Sequence, residues 1–580
     1  MESITKAAGN RCRSFYNPGG KSHKVLHLVR LHWIGLIILL TIPIPALKAQ
    51  LDGGSNLPII IINTGGQAIV DEPKIIADMW IVDNGPGNRN YPTGPFNDYS
   101  GKIGIEFRGS SSQSFPKKNY GIEIWDAAGR DTTASILGMP VEGDWVLHGP
   151  YSDKSLIRNI LAMSIGRDLG RYASRTRLTE LILNGQYQGV YVAMEKIKRD
   201  KNRVSIAKLE PHENSGEDLT GGYILKIDKF DGSNSGGGWA SPYRPPLYRR
   251  NDQQIFFQYE YPKGRNITPQ QASYIRTFIT EFEDAMYGPD FDKLRGGWRD
   301  YLDEASAIDY LIVQEITRDV DAYRLSTFLY KDRDNRDGKL YFGPIWDFNL
   351  AFGNADYCQG GLPTGWAWDF NSYCPDDFWL IPFWWKRFLQ DEMFVANLKS
   401  RWHSLRQGPY SNTAINARID SLTVLLDEAK DRNFAKWPVL NQYIWPNNYV
   451  GGSYANEIDY LKSWVSSRLE WLDTNIMGLQ GVTGMEEVST PGTIRIFPNP
   501  FGQELSIHLM EAEPGQYRIQ CTDLLGKVLS STTRSVAQSG TQTIGLNEGT
   551  GLPADLPPGV YLLQVHRDGR PLSVHKVIRQ

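Results

Sequence analysis

Two aspartates on either side of a hairpin carry the clearest chemical signal in this sequence. The stretch Glu315–Asn354 reads EITRDVDAYRLSTFLYKDRDNRDGKLYFGPIWDFNLAFGN. Asp319 and Asp321 occupy a short polar turn at its start, and Asp347 stands near its end inside PIWDFN. Between them lie two strand-like runs, Thr327–Tyr330 and Lys339–Phe342, joined by DRDNRDG, whose closing Asp-Gly is a hairpin signal. A hairpin returns the chain to its start, so Asp347 can lie near Asp321. Two converging carboxylates suit a divalent cation, and a cation suits phosphate. The same residues also fit a plainer role, with Asp321 capping one turn and Asp347 opening another.

Several elements must position these acids. An apolar-periodic helix (Leu302, Ala305, Ile308, Leu311, Ile312) leads into the first of them. Far upstream, residues 50–107 read as β structure: LPIIIINT, IIADMWIV and KIGIEF, separated by Gly, Asn, Asp and Pro clusters. RGSSSQSFPKKNYGIEIW (Arg108–Trp125) follows as a small-residue loop, two lysines and an alternating strand. Backbone N–H groups in such a loop, around Ser111, can face phosphate oxygens, and a lysine entering the next strand can reach them. It is not a Walker A loop, since G-x-x-x-x-G-K-[ST] is absent, and a solvated hairpin has the same pattern.

Asp153 is placed to cap a helix over KSLIRNILAMSIGRDLG. TELILNGQYQGVYVAMEKI then reads as a hairpin about Asn184-Gly185, with Glu195 and Lys196 forming a surface ion pair at its end. GGYILKIDKF is a strand with Lys226 and Asp228 on one face. Residues 232–266, rich in Gly, Pro and Tyr, read as a long surface excursion, and helical patterns resume from Thr268 to Thr317. Trp366, Trp368, Trp379, Trp384 and Trp385 form a cluster that suits either core or a sugar-stacking platform. Helices dominate from Gln390 to Met477.

At 580 residues the chain is long enough for two to four domains, and its net charge of −3 makes no case for a nucleic-acid partner. Residues 1–49 combine basic residues, the apolar run WIGLIILLTIPIP and a terminal Ala, which together describe a secretory signal peptide, with an uncleaved signal anchor as the alternative. No other stretch is apolar enough to span a membrane. Residues 478–493 have linker composition, and 494–580 hold six or seven short strands that fit a small all-β sandwich. Cys358 and Cys374 bracket a Gly- and Trp-rich loop and, in an exported chain, can close a disulfide.

Taken together, RGSSSQSFPKKNYGIEI, YSDKSLIRN, LILNGQYQGVYVAMEKIKRD, GGYILKID and PIWDFNLAFGN resemble the CotH spore-coat kinase family from Leu57 to Ile476. The tail IFPNPF…LLGKVL…LPPGVYLLQV…KVIR resembles a type A sorting domain of the type IX secretion system. The resemblance implies an α+β chain. A divergent two-lobed protein-kinase-like domain would span 50–477, β-rich over 50–230 and mostly helical over 268–477, and the all-β sandwich would follow it. It also implies ATP and Mg2+ or Mn2+ as cofactors, a protein hydroxyl as acceptor and the type IX machinery as partner. Export would run through a Gram-negative periplasm to the surface or beyond.

Carried onto this chain, Asp321 takes the catalytic-loop position and Asp347 the metal position. Lys118 or Lys117 would hold the nucleotide phosphates with Arg108 and Ser111 of the loop, and Glu195 would lie towards the nucleotide. Ser326 stands where protein kinases have a metal-binding Asn, and a hydroxyl is a poorer ligand than an amide oxygen. A kinase-shaped adhesion or scaffold protein without transfer, and a glycan binder using the tryptophans, are the alternative readings.

Overall fold

Alternating apolar residues close the N-terminal part of the chain into a barrel. The computed structural model describes residues 51–229, 237–479, 494–523, 528–547, 551–553, 556–568 and 570–579. The expected signal peptide and nearly all of the expected linker lie outside them. Strands β1 (Ile59–Asn63), β2 (Ile75–Val82), β3 (Tyr99–Arg108), β4 (Asn119–Trp125), β5 (Asp144–His148), β6 (Thr176–Leu183) and β7 (Gln186–Glu195) build the barrel. They are ordered β1-β2-β3-β4-β5-β7-β6, and parallel pairing of β1 with β6 closes the ring. Ile103, Ile105, Ile122 and Ile124 recur at every second position and are buried inside. The hairpin between β6 and β7 turns on Asn184 and Gly185, with φ of 49° and 71°, the left-handed pair that a two-residue turn of this hand requires. Closure corrects the sequence reading, which has the strands but no barrel.

A second, five-stranded sheet forms from β8 (Tyr223–Ile227), β9 (Gly238–Ala240), β10 (Phe256–Tyr261), β11 (Thr327–Lys331) and β12 (Leu340–Phe342), in the order β9-β10-β8-β11-β12. The expected surface excursion therefore supplies two strands. Trp239 and Phe257 are buried and stack at 5.1 Å, and removing their rings from water draws the segment inward. The hairpin between the two acids forms as β11 and β12, paired Leu329 to Phe342.

Among the described residues, seven longer helices accompany the sheets: α1 (Arg158–Asp168), α2 (Pro269–Tyr287), α3 (Glu304–Thr317), α4 (Glu392–Arg406), α5 (Asn412–Leu425), α6 (Ala429–Lys436) and α7 (Tyr454–Gly478). Asp303 starts α3 by accepting a hydrogen bond from the Ser306 amide. Asp153 does not start a helix at 154, because Leu156 adopts a left-handed φ of 65° and delays α1 to Arg158. Its carboxylate instead accepts from the Arg158 amide and pairs with the Arg158 guanidinium at 2.6 Å. Trp384 and Trp385 are fully buried, so these two tryptophans serve as core.

At the end of α3, Glu315 meets Arg468 of α7 at 2.8 Å, both completely buried. Glu315 also accepts from Tyr323 Oη and from the Ala367 and Trp368 amides. Arg468 donates to the carbonyls of Glu315, Pro363 and Gly365. Those last carbonyls lie in the loop closed by the Cys358–Cys374 disulfide, whose Cα atoms are 5.7 Å apart.

Residues 494–579 add two further sheets. β13 (Ile494–Phe497), β14 (Glu504–Ala512), β15 (Gly515–Thr522), β16 (Val528–Val536), β17 (Gly540–Asn547), β18 (Gly559–Arg567) and β19 (Arg570–Arg579) pair as β13-β14-β17 and β16-β15-β18-β19. They enclose Leu505, Ile507, Ile519, Leu546 and Leu563. The chain is thus α+β with a β-rich C-terminal region.

Arg468→Ala leaves Glu315 charged and unpaired in the interior, and it should lower unfolding free energy by about 3–5 kcal/mol in chemical denaturation. The half-exposed pair Arg89–Glu428 is the contrast, and Arg89→Ala should cost less than about 1 kcal/mol.

Candidate functional site

A cavity of about 430 Å³ is lined by the loop after β3, the end of β5, the ends of β8 and β10, and the two segments that carry Asp321 and Asp347. Arg108, Ser111, Asp321, Ser326 and Asp347 all border it. The hairpin β11–β12 explains the meeting of the last three. It leaves the cavity just after Ser326 and returns just before Asp347.

Asp321 is held from below. Arg324 Nη2 donates to its Oδ1 at 2.6 Å, and the same buried guanidinium is fixed by Asp377 at 3.0 Å and by the Val320 carbonyl. The Asp321 amide donates to Asp319 Oδ1 at 2.8 Å. Asp319 is buried, and loss of hydration, together with the negative charges of Asp321 and Asp347, drives its pKa well up. Asp319 stays behind the turn, and of the two it is the partly exposed Asp321 that borders the cavity.

Asp347 has a left-handed φ of 68°, which turns the chain sharply at the cavity wall. Asp347 is exposed on the wall of the cleft it lines. Poor hydration there, then Asp228 and Asp321, push its pKa up to about 6 against the pull of Arg108 and Lys229. Asp228, Asp321 and Asp347 thus share one cleft with Arg108, Lys226 and Lys229. Among the described residues no group of three or more His, Cys, Asp or Glu side chains is arranged as a ready metal cage. The donor set still fits Mg2+, which takes hard oxygen ligands from one or two carboxylates and relies on phosphate and water for the rest. Ser326, with φ of 46°, presents only a hydroxyl.

Three of the residues expected to bind nucleotide lie elsewhere. Lys117 is buried, donates to Asn433 Oδ1 at 2.8 Å and lies over the Tyr191 ring. Burial drives its pKa well down, with Asp153 opposing. Lys118 alternates to the other side of the strand and donates to the Gln113 carbonyl. Glu195 is fully buried between Arg175, at 2.9 Å, and Arg203, so it forms no pair with Lys196, which borders the cavity instead.

The cations that do border the cleft include Lys226, between Asp228 at 3.8 Å and Glu260 at 3.7 Å, and Arg108, stacked on Trp346 at 5.3 Å. Lys226 and Asp228 carry the signal that finds them: an i, i+2 pair on one face of a strand. His148 gives no sequence signal. It borders the cavity, and burial, with Asp153 opposing and Lys117 and Arg108 assisting, lowers its pKa to about 4.

The raised pKa of Asp347 makes a signed prediction. Its folded pKa lies above the ordinary carboxylate value, so the stability it confers is complete below about pH 4 and is lost as pH rises through about 6. Asp347→Asn should therefore melt higher than the parent at pH 8 in EDTA, and the advantage should vanish at pH 4. A melting-temperature series over that range checks it.

The family described as CotH kinase protein matches residues 105–472, and the Secretion system C-terminal sorting domain matches 495–580. The inner spore coat protein H of Bacillus subtilis (strain 168) is 28% identical over 95 residues, 16% of this chain and 24% of that protein. The chain therefore spans about a quarter of the length of that relative. A solved Pseudomonas fluorescens alkylpurine DNA glycosylase, AlkC, bound to DNA containing an abasic site analog, aligns with 35% of this chain and 55% of its own at 15% identity. Its TM-score of 0.12 carries no argument. No helix among the described residues is long and apolar enough to cross a membrane. With more than half its length matched, the chain belongs to the CotH kinase protein family and ends in a sorting domain of the type IX secretion system.

Proposed function

We propose that this protein is an exported kinase, dependent on ATP and on Mg2+ or Mn2+, which transfers the γ-phosphoryl group to a protein hydroxyl at the cell surface or beyond. The observation that carries the reading is the shared cavity of Asp321 and Asp347, bordered by Lys226 and Arg108. In this reading the barrel and the helical part form the two lobes of a divergent kinase-like fold, 50–477, behind a signal peptide, 1–49. Residues 478–493 are a linker, and 494–580 are the address read by the secretion machinery.

The chemistry is positioning and electrostatics. Asp347 and Asp228 would hold the cation, which when bound neutralises phosphate charge. Lys226 and Arg108, rather than Lys117 and Lys118, would contact phosphate oxygens. Asp321, steadied by Arg324, accepts the proton of the acceptor hydroxyl as its oxygen bonds to phosphorus and ADP leaves. The second reading is a nucleotide-binding scaffold without transfer, and Ser326 in place of an amide ligand favours it.

A non-hydrolysable ATP analogue should raise the melting temperature more with Mg2+ than without. Asp347→Ala should remove the Mg2+-dependent part, while Asp321→Asn should keep binding and lose transfer to exported proteins. No nucleotide-dependent shift in the parent would sink the reading. Binding without transfer in the parent would select the scaffold.

A further inference from the structure

Three residues from three elements tie the Asp347 segment to the barrel. The Phe348 amide, next to Asp347, donates to Asn159 Oδ1 at 2.8 Å, and the Asn159 amide nitrogen lies 3.0 Å from His148 Nε2. His148 ends β5, and Asn159 is in the first turn of α1. These contacts leave one consistent set of protons. A backbone N–H only donates, so the oxygen of Asn159 must face Phe348 and its NH2 must face His148. An NH2 only donates, so Nε2 must accept. His148 is then neutral and carries its ring proton on Nδ1. A charged imidazolium would set two donors against each other across 3.0 Å. The low pKa already described for His148 agrees with this arrangement.

The Asn159 contact is the ring's hydrogen bond to protein among the described residues, so Nδ1–H remains to be used. His148 borders the cavity beside Gly149 and near Arg108 and Lys117, with Asp153 the acid that faces it. His148 is only partly buried at the cavity wall, so this donor can meet a ligand there, and the Arg108 guanidinium on the same wall favours an anionic oxygen as the acceptor. Asn159 has a second effect. Its oxygen anchors the residue after Asp347, and so holds the left-handed turn that points Asp347 into the cleft.

We propose that His148 is a ligand-binding residue whose Nδ1–H donates to a phosphate oxygen of the bound nucleotide. Asn159 is the positioning residue that fixes this tautomer while anchoring the Asp347 turn. The phosphate contact rests on the kinase reading. The proton arrangement does not.

Two measurements test the parts separately, both on the full chain. Histidine-selective 15N and 13C NMR at pH 7 should show His148 as the neutral Nδ1–H tautomer. Asn159→Asp keeps an acceptor for Phe348 but cannot donate to His148, so it should move a proton onto Nε2. An Nε2–H signature in the parent, or no change in Asn159→Asp, overturns the lock whatever the nucleotide does.

The second measurement is calorimetric binding with Mg2+. His148→Phe keeps a ring but removes the donor, and it should weaken a non-hydrolysable ATP analogue by about tenfold. Adenosine binding should be unchanged, and His148→Asn, whose amide nitrogen sits where Nδ1 does, should restore most of the loss. Equal loss of analogue and adenosine, or no loss in folded His148→Phe, overturns the phosphate contact. A parent that binds no nucleotide overturns that contact together with the kinase reading, while the tautomer still decides the lock.

Discussion

The site depends first on a single buried charge pair. Glu315 and Arg468 lie wholly out of water, and two such charges cost more to bury than their attraction returns unless every remaining donor and acceptor is used. Here the surroundings supply those partners. Tyr323 and two backbone amides serve the carboxylate, and two loop carbonyls serve the guanidinium. Each partner is therefore held to one position. Glu315 sits one turn before Asp319, so the end of α3, the turn that carries Asp321, the disulfide loop and α7 share one anchor. Specificity of arrangement, more than net stability, is what such a pair supplies.

Backbone strain gathers where that anchor permits it. Arg318, Tyr323, Ser326, Asp347 and Phe352 all adopt left-handed φ without being glycine. Each costs on the order of 1 kcal/mol and persists only where neighbouring contacts over-determine the chain. These residues bracket the two acids. The Phe352 amide bonds the Thr317 carbonyl and the Arg158 side chain bonds Ala351, so the turns on both sides of the hairpin are tied to helices. The arrangement aims Asp321 and Asp347 at the same space while their peptide units bend away from it.

Much of this was legible in the residues. The Asn184-Gly185 turn, the hairpin between the acids and the α3 helix carry local signals strong enough to survive tertiary context. The two aspartates reach one cavity because a hairpin is a local device. Lys117 and Lys118 lie away from the cavity for the opposite reason. Lys117 and Lys118 follow a small-residue loop in the sequence, but alternation sends one into the interior against Asn433 and the other to a neighbouring carbonyl. Which face of a strand looks into a cleft depends on how the barrel closes, and closure is a long-range pairing of β1 with β6 that no local pattern announces. Strands β9 and β10 were hidden likewise, because the apolar surface that buries them belongs to Trp239 and Phe257 in a stretch otherwise rich in turn formers. The C-terminal sheets follow simple alternation and were readable from it.

The disulfide has a consequence in time. Arg468 takes two of its acceptors, Pro363 and Gly365, from inside the loop that Cys358 and Cys374 close, and Arg318 takes the Gln359 carbonyl from the same loop. While the thiols are reduced, those carbonyls belong to a segment free to wander, and the central charge pair must hold it without help. Oxidation shortens that freedom to a single ring. The frame behind the acids is therefore complete only in the oxidised chain, where the disulfide and the Glu315–Arg468 pair hold the same loop.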